Sequence, residues 1–298
     1  MSKLVVNRHQ DLVDYCNVKD IPISEFNEPV ELSDWITDCR DMFAECRAFN
    51  QPVIIPKGVI NCDCMFQECD SFNQPIMIPT SVECCDNMFS NCKSFNQPVN
   101  IPASVQSCVQ MFYGCDSLNQ PVKILGEPIC NGIFMHCKSF NQPFSIPRIS
   151  SCSGIFLGCE SFNQSITIPD TVENCTEMFK DCISLNAPIT ISNTVEYCRA
   201  MFRGCKSFNQ PIKISENSED CSYMFYDCAS FNQSIAIPIT VGTCEAMFYG
   251  CVSLNQLITV PEEINTYHHM FGGCTSLNSI VLPIKIIKEN GHYLDNIL

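Results

Sequence analysis

One period runs through this chain and constrains everything it can become. A Phe preceded by Met or Ile recurs at positions 43, 66, 89, 112, 134, 156, 179, 202, 225, 248 and 271. The spacing is 23 residues, shortened to 22 twice in the middle. A second marker, Phe-Asn or Leu-Asn, begins at 26, 49, 72, 95, 118, 140, 162, 185, 208, 231, 254 and 277. Of the 20 Phe, 11 fill the first slot and 8 the second, so only Phe144 stands outside the repeat. Self-similarity at this period is the mark of a stacked array. A unit of this length cannot bury its apolar side alone, and stacking supplies the missing cover. Residues from about 24 to 288 read as one array.

The cysteines keep the same time. Ten lie four residues before the marker Phe, from Cys39 and Cys62 to Cys244, and eleven lie three residues after it, from Cys46 to Cys274. They account for 21 of 24, leaving Cys16, Cys64 and Cys84. Within residues 79–101, Val82, Cys85, Phe89 and Cys92 fall at i, i+3, i+7 and i+10, which predicts a short helix of about three turns. Thr80 with Glu83, Asp170 with Glu173 and Asn193 with Glu196 fit capping boxes. Gly114, Gly158, Gly204 and Gly250 read as helix ends. Pro98-Val99-Asn100-Ile101 alternates with period two and predicts a very short strand. The Asn of the second marker, present in all twelve copies from Asn27 to Asn278, predicts an amide that satisfies backbone groups in a tight buried turn.

In these residues the chain resembles the BspA-like class of leucine-rich repeats. Ile101-Pro102-Ala103-Ser104-Val105, followed by Cys108, Phe112, Cys115 and Leu118, matches that pattern in order and spacing. Cys108 and its equivalents stand where the class usually has Ile. The Met-Phe-x-x-Cys-x-Ser-Phe-Asn-Gln stretch is similar to a related repeat of bacterial surface lipoproteins. The resemblance implies an α/β right-handed solenoid of about 11–12 coils of 22–23 residues, with short parallel strands on the concave face and short helices on the convex face. It also implies adhesion or protein binding, and brings no catalytic residues.

Chemistry beyond packing finds little support. Paired cysteines within one repeat are seven apart, too far along a helix for a disulfide, although equivalent cysteines in adjacent coils come nearer. Free, buried thiols acting as small hydrophobes are expected. Zinc needs four converging ligands, whereas the close pairs Cys62/Cys64 and Cys84/Cys85 are isolated, so no metal or other cofactor is expected. His268-His269 has no repeated acid or nucleophile tied to it, and a nucleophilic Cys needs one special environment; no enzyme is expected. The sequons at Asn163 and Asn232 fall on the Asn ladder and read as chance overlaps.

Charge narrows the partners. With 17 basic and 32 acidic side chains the net charge is −15, which excludes a phosphate-backbone partner. No apolar run approaches the roughly 18 residues of a membrane span, and residues 1–9 lack the apolar core of a secretory signal, so a cytoplasmic chain is expected, with a virion component as the alternative. The acids gather in the predicted helix slots, for example Glu45, Asp63, Glu68, Asp86, Glu177, Asp181 and Asp227, as a solvated convex face. The outward strand slot offers Met77, Asn100, Lys123, Ser145, Thr167, Thr190, Lys213 and Thr259 as candidate protein-binding positions. Residues 1–38, with Trp35, read as an N-terminal cap, 39–283 as the solenoid, and 284–298 as a C-terminal cap or tail. Ile284, Ile286, Ile287, Tyr293, Leu294, Ile297 and Leu298 are numerous for a free tail, and suit closure of the core or self-assembly through the ends. The expected function is non-enzymatic protein binding by a rigid concave surface, with a structural component of a larger assembly or a surface adhesin as alternatives.

Overall fold

In the computed structural model of the protein, which describes residues 3–281, every Met-Phe segment is a run of tight turns. Around Phe43, the N–H groups of Cys39, Asp41, Phe43 and Glu45 donate to the carbonyls of Asn61, Asp63, Met65 and Gln67 one coil on, at 2.8–3.1 Å. The intervening N–H groups of Met42, Ala44 and Cys46 close local turns onto Cys39, Asp41 and Phe43. Alternate amides therefore leave the coil, an arrangement an α-helix excludes because its donors go to i−4. Single-residue parallel bridges mark the same edge: Asp38 to Asn61, Cys84, Ser107 and Ile129, and separately Ser151 to Asn174, Tyr197, Asp220, Thr243 and Thr266.

The predicted short helices are thus absent, and the reason lies in burial. Val82, Cys85, Met88, Phe89, Cys92 and Phe95 are all fully buried. On a 3.6-residue helix Met88 and Phe95 would point about 80° and 100° away from the middle of the face set by Val82, Cys85, Phe89 and Cys92, at its flank and not into the core. A chain that turns every three residues brings all six inward. Two residues per coil take positive φ, two before and two after the marker Phe, as at Asp41 and Glu45 or Ala200 and Gly204. Each is the third residue of a hydrogen-bonded turn, the position at which a type II turn requires positive φ. Gly114, Gly158, Gly204 and Gly250 occupy that slot and end no helix. The capping boxes fail likewise: Glu83, Glu173 and Glu196 N–H donate to Ile60, Ser150 and Glu173 carbonyls in the preceding coil.

The chain divides into two compact units, Met1–Pro147 and Arg148–Leu298. The first begins with β1 (Leu4–Val6), α1 (His9–Lys19), a 3-10 turn (Ile23–Glu25) and β2 (Val30–Leu32), β1 pairing parallel with β2. Leu12 and Cys16 of α1 are buried, and Tyr15 meets Phe26 edge-on at 6.0 Å. Further along, β3 (Val99–Ile101) and β4 (Val122–Ile124) pair parallel, with Asn100 opposite Lys123. In the second unit β5 (Ile166–Thr167) pairs with β6 (Ile189–Thr190) and β7 (Ile258–Thr259) with β8 (Ile280–Val281), all parallel. The apolar residues named between 284 and 298 lie outside the described residues.

Inside each unit the marker phenylalanines form two stacked columns. Phe66 lies 4.2 Å from Phe72 within its coil and 5.5 Å from Phe89 in the next, the rings nearly parallel. The second unit repeats this, with Phe225 at 4.4 Å from Phe231 and 5.6 Å from Phe248. Offset stacking at these separations adds to the burial of the rings.

Candidate functional site

Three side-chain ladders explain the repeat's constant residues and free the remaining positions for function. The first is the Asn ladder. Asn73 Oδ1 accepts the Asn96 N–H at 2.8 Å and Gln97 Nε2 at 3.1 Å, and Asn209 Oδ1 does the same for Asn232 and Gln233. The Gln that follows nine of the twelve ladder Asn residues thus fits the same device. These turns are half-buried or exposed, shallower than the sequence suggests, because the amides sit where each coil bends toward its strand. The second ladder is of sulfur. Cysteines three residues after the marker Phe donate Sγ–H to the Phe carbonyl of the preceding coil in both units, as Cys69 to Phe43 at 3.0 Å and Cys205 to Phe179 at 2.9 Å. That carbonyl also accepts the N–H closing its own turn, so the thiol fills its second lone pair. The third consists of hydroxyls before the Val slot, Ser104 Oγ donating to the Val82 carbonyl and Thr194 Oγ1 to that of Val172.

All 24 cysteines are free thiols. Even the close pair Cys152 and Cys175 keeps its sulfurs 3.4 Å apart, well beyond the bonded separation of about 2.05 Å. Burial pushes the thiols of Cys39 and Cys46 up to about 12 and those of Cys69, Cys92, Cys182 and Cys228 well above the ordinary thiol value. Such groups stay protonated and poor in nucleophilic character. Among the described residues no three His, Cys, Asp or Glu side chains gather as a metal would require. His268 and His269 are exposed.

The outward strand row is where the sequence reading places its candidate residues. Met77, Asn100, Lys123 and Ser145 in the first unit, and Thr167, Thr190, Lys213 and Thr259 in the second, are all exposed. Their flanking residues point inward, Ile76 and Ile78 being 8% and 5% exposed against 85% for Met77. Ile54, one coil before Met77, is 83% exposed. Beside it Lys3, Glu31, Asp34, Gln51 and Pro52 help line a hollow of about 440 Å³. In the second unit Ala236, Ile239, Leu257, Thr259 and Glu262 border one of about 560 Å³. The acidic turn face is laced with exposed ion pairs such as Arg47–Glu68 at 2.9 Å and Lys93–Asp70 at 3.2 Å, each of small energetic weight. A cluster of Tyr and Arg side chains on the turn edge of the second unit is not singled out by the sequence reading. Arg203, Tyr226 and Tyr249 lie 23 residues apart, and the cluster meets only through the register of the coils.

Stacked coils, short parallel strands and inward Phe, Cys and Val define a leucine-rich-repeat type of stack. Two solved structures share it. A leucine rich cell surface protein from Faecalibacterium prausnitzii is 18% identical, with a TM-score of 0.54 over 93% of this chain and 82% of its own. A leucine-rich repeat protein from Eubacterium ventriosum is 16% identical, with a TM-score of 0.56 over 95% and 79%. The chain belongs to the family described as "Mycoplasma protein of unknown function, DUF285", whose profile matches residues 22–125, 129–238 and 193–283. The resemblance to BspA-like repeats is thereby borne out. No curated protein matches the chain. The cytoplasmic expectation is corrected: a structural relative spanning nearly the whole chain is a cell surface protein, so the opening residues do not place this chain inside the cell. Among the described residues no helix is long and apolar enough to cross a membrane.

Proposed function

We infer that this chain is a non-enzymatic interaction repeat that presents its outward strand row to a protein partner. The carrying observation is the contrast along that row. Ile54 and Met77 stand 83% and 85% exposed, between polar side chains, on coils whose turn segments are bonded from one coil to the next. Binding then orders little of the chain, which favours association. In finer detail, the coils within each unit wind right-handed with the row on their inner side, and residues 3–38 cap the first unit. Contacts fall on Met77, Asn100, Lys123, Ser145, Thr167, Thr190, Lys213 and Thr259. The cell-surface description of the structural relative supports an adhesin-type setting.

Affinity capture from the native source tests this, comparing wild type with Ile54→Ser/Met77→Ser and with Lys123→Glu/Lys213→Glu. Loss of the captured protein in either double variant supports the row as the contact surface. Unchanged capture by both overturns it. Light scattering at increasing concentration separates this role from that of an assembly component, which would polymerise.

A further inference from the structure

On the turn edge of the second unit, Arg203 lies with its guanidinium 4.7 Å from the centre of the Tyr226 ring and 5.9 Å from that of Tyr223. Arg199 covers Tyr223 at 4.9 Å. Tyr226 in turn stacks on Tyr249 at 4.8 Å with rings 10° apart. The Tyr223 hydroxyl donates to Glu245 Oε1 at 2.7 Å, which fixes that ring. Tyr249 is 37% exposed and ends the stack.

The repeat itself does not ask for these residues. The slot after the marker Phe holds Ala44, Gln67, Ser90, Tyr113, Met135, Leu157, Lys180, Arg203, Tyr226, Tyr249 and Gly272. Where the fold has a duty it repeats one residue, as with Asn, Phe and Cys; here it tolerates almost anything. Arg and Tyr in successive coils are therefore free for another role, and they are the residue types that dominate binding energy at protein interfaces.

The geometry also leaves something unused. Stacking over tyrosines engages the face of a guanidinium, while its N–H donors lie in the plane. Arg199 has a loose carboxylate partner in Asp220 at 3.9 Å, whereas Arg203 has no ion-pair partner among the described residues. Its half-buried guanidinium, placed over the tyrosines and without an ion pair, can take a carboxylate, which Arg binds bidentately. Asp220 and Glu245 nearby, on a chain of net charge −15, repel a dense polyanion but leave room for a single acid.

We propose that the Arg199–Arg203–Tyr226–Tyr249 cluster is a second interaction surface, docking a peptide segment that places an Asp or Glu carboxylate on Arg203 and an apolar or aromatic side chain against Tyr249. It uses a different surface from the strand row and stands or falls apart from it.

The full-length protein is applied to an array of immobilised random nonapeptides, with heparin beads as a polyanion arm. Bound peptides enriched in one acidic residue beside an apolar one, with signal reduced at least tenfold by Arg203→Gln and by Tyr249→Ser, are the expected result. Arg203→Lys, which keeps the charge but loses the fork, recovers only part of it. Lys123→Glu/Lys213→Glu leaves it unchanged, which separates this surface from the strand row. Circular dichroism of each variant confirms folding. The proposal is overturned by an array without bound peptides, by enrichment of basic peptides, by stronger binding to heparin than to any peptide, or by enrichment that survives both Arg203→Gln and Tyr249→Ser in folded protein.

Discussion

Replacing Gly204 by Ala separates a stacked-turn backbone from a helical one by sign alone. In a helix interior the change would add about 1 kcal/mol of stability, the propensity difference between the two residues. In the turn seen here Gly204 has φ +75°, and an added Cβ would collide with Asp181 Oδ1 and stand 3.5 Å from the Asp181 Cα. A left-handed conformation costs an L-residue about 1–2 kcal/mol. Turning the exposed Asp181 carboxylate aside costs about 0.5–1.5 kcal/mol, while the stiffer unfolded chain offsets about 0.4–1 kcal/mol. The net expectation is a loss of about 0.5–3 kcal/mol. The same coil supplies the reciprocal variant. Ala200 already sits at φ 52°, so Ala200→Gly relieves strain that offsets the loss of its buried methyl and the looser unfolded chain, and stability stays within about 1 kcal/mol of wild type. Urea unfolding of the full chain, followed by circular dichroism and tyrosine fluorescence, reads both. A stabilising Gly204→Ala together with a destabilising Ala200→Gly refutes the turn geometry.

Three other outcomes follow from the ladders. Asn209→Ala removes the acceptor for the Asn232 N–H and Gln233 Nε2 and should cost about 1–3 kcal/mol; Asn209→Asp, which keeps an acceptor, should lose clearly less in the same urea assay, and equal losses would count against the ladder. Alkylation of the native protein, read by mass spectrometry, should modify the half-buried Cys64, Cys84 and Cys274 first, with the buried thiols reacting only on unfolding; uniform labelling would contradict the packing. Alkali should destabilise the chain. Burial raises Cys39, Cys46 and Cys244 from the ordinary 9.0 to about 12, so their contribution is intact below pH about 9 and is lost as pH rises toward 12, because the unfolded thiols ionise first. Each thiol gives a slope of about 1.4 kcal/mol per pH unit, and a flat stability between pH 9 and 11 would contradict this.

Much of the architecture was legible because a repeat is its own alignment. Phe89, Cys92 and Asn96 announce their inward or turn duties by recurring, and the alternation of Val99, Asn100 and Ile101 gives the strand and its outward side chain. The helix expectation failed because Val82, Cys85, Phe89 and Cys92 fit a 3.6-residue period while Met88 and Phe95 do not. Counting all six apolar positions reveals the three-residue turning that the buried core requires. The donor role of the Cys thiols was hidden, since a buried Cys reads as a small hydrophobe until its neighbour's carbonyl is in view. Arg203, Tyr226 and Tyr249 were hidden for a different reason. They are variable within the repeat, and only the coil-to-coil register brings them together. The Gly residues were misassigned because positive φ serves a type II turn as well as a helix end.

The hydrogen bonds between coils are directly observable by NMR through scalar couplings across them. In deuterated protein the Phe202 amide should couple to the Met224 carbonyl, its acceptor at 2.9 Å, and the Ala200 amide to that of Ser222 at 2.8 Å. Couplings from Phe202 to the Cys198 carbonyl instead, the i−4 partner of a helix, would contradict the stacked-coil fold.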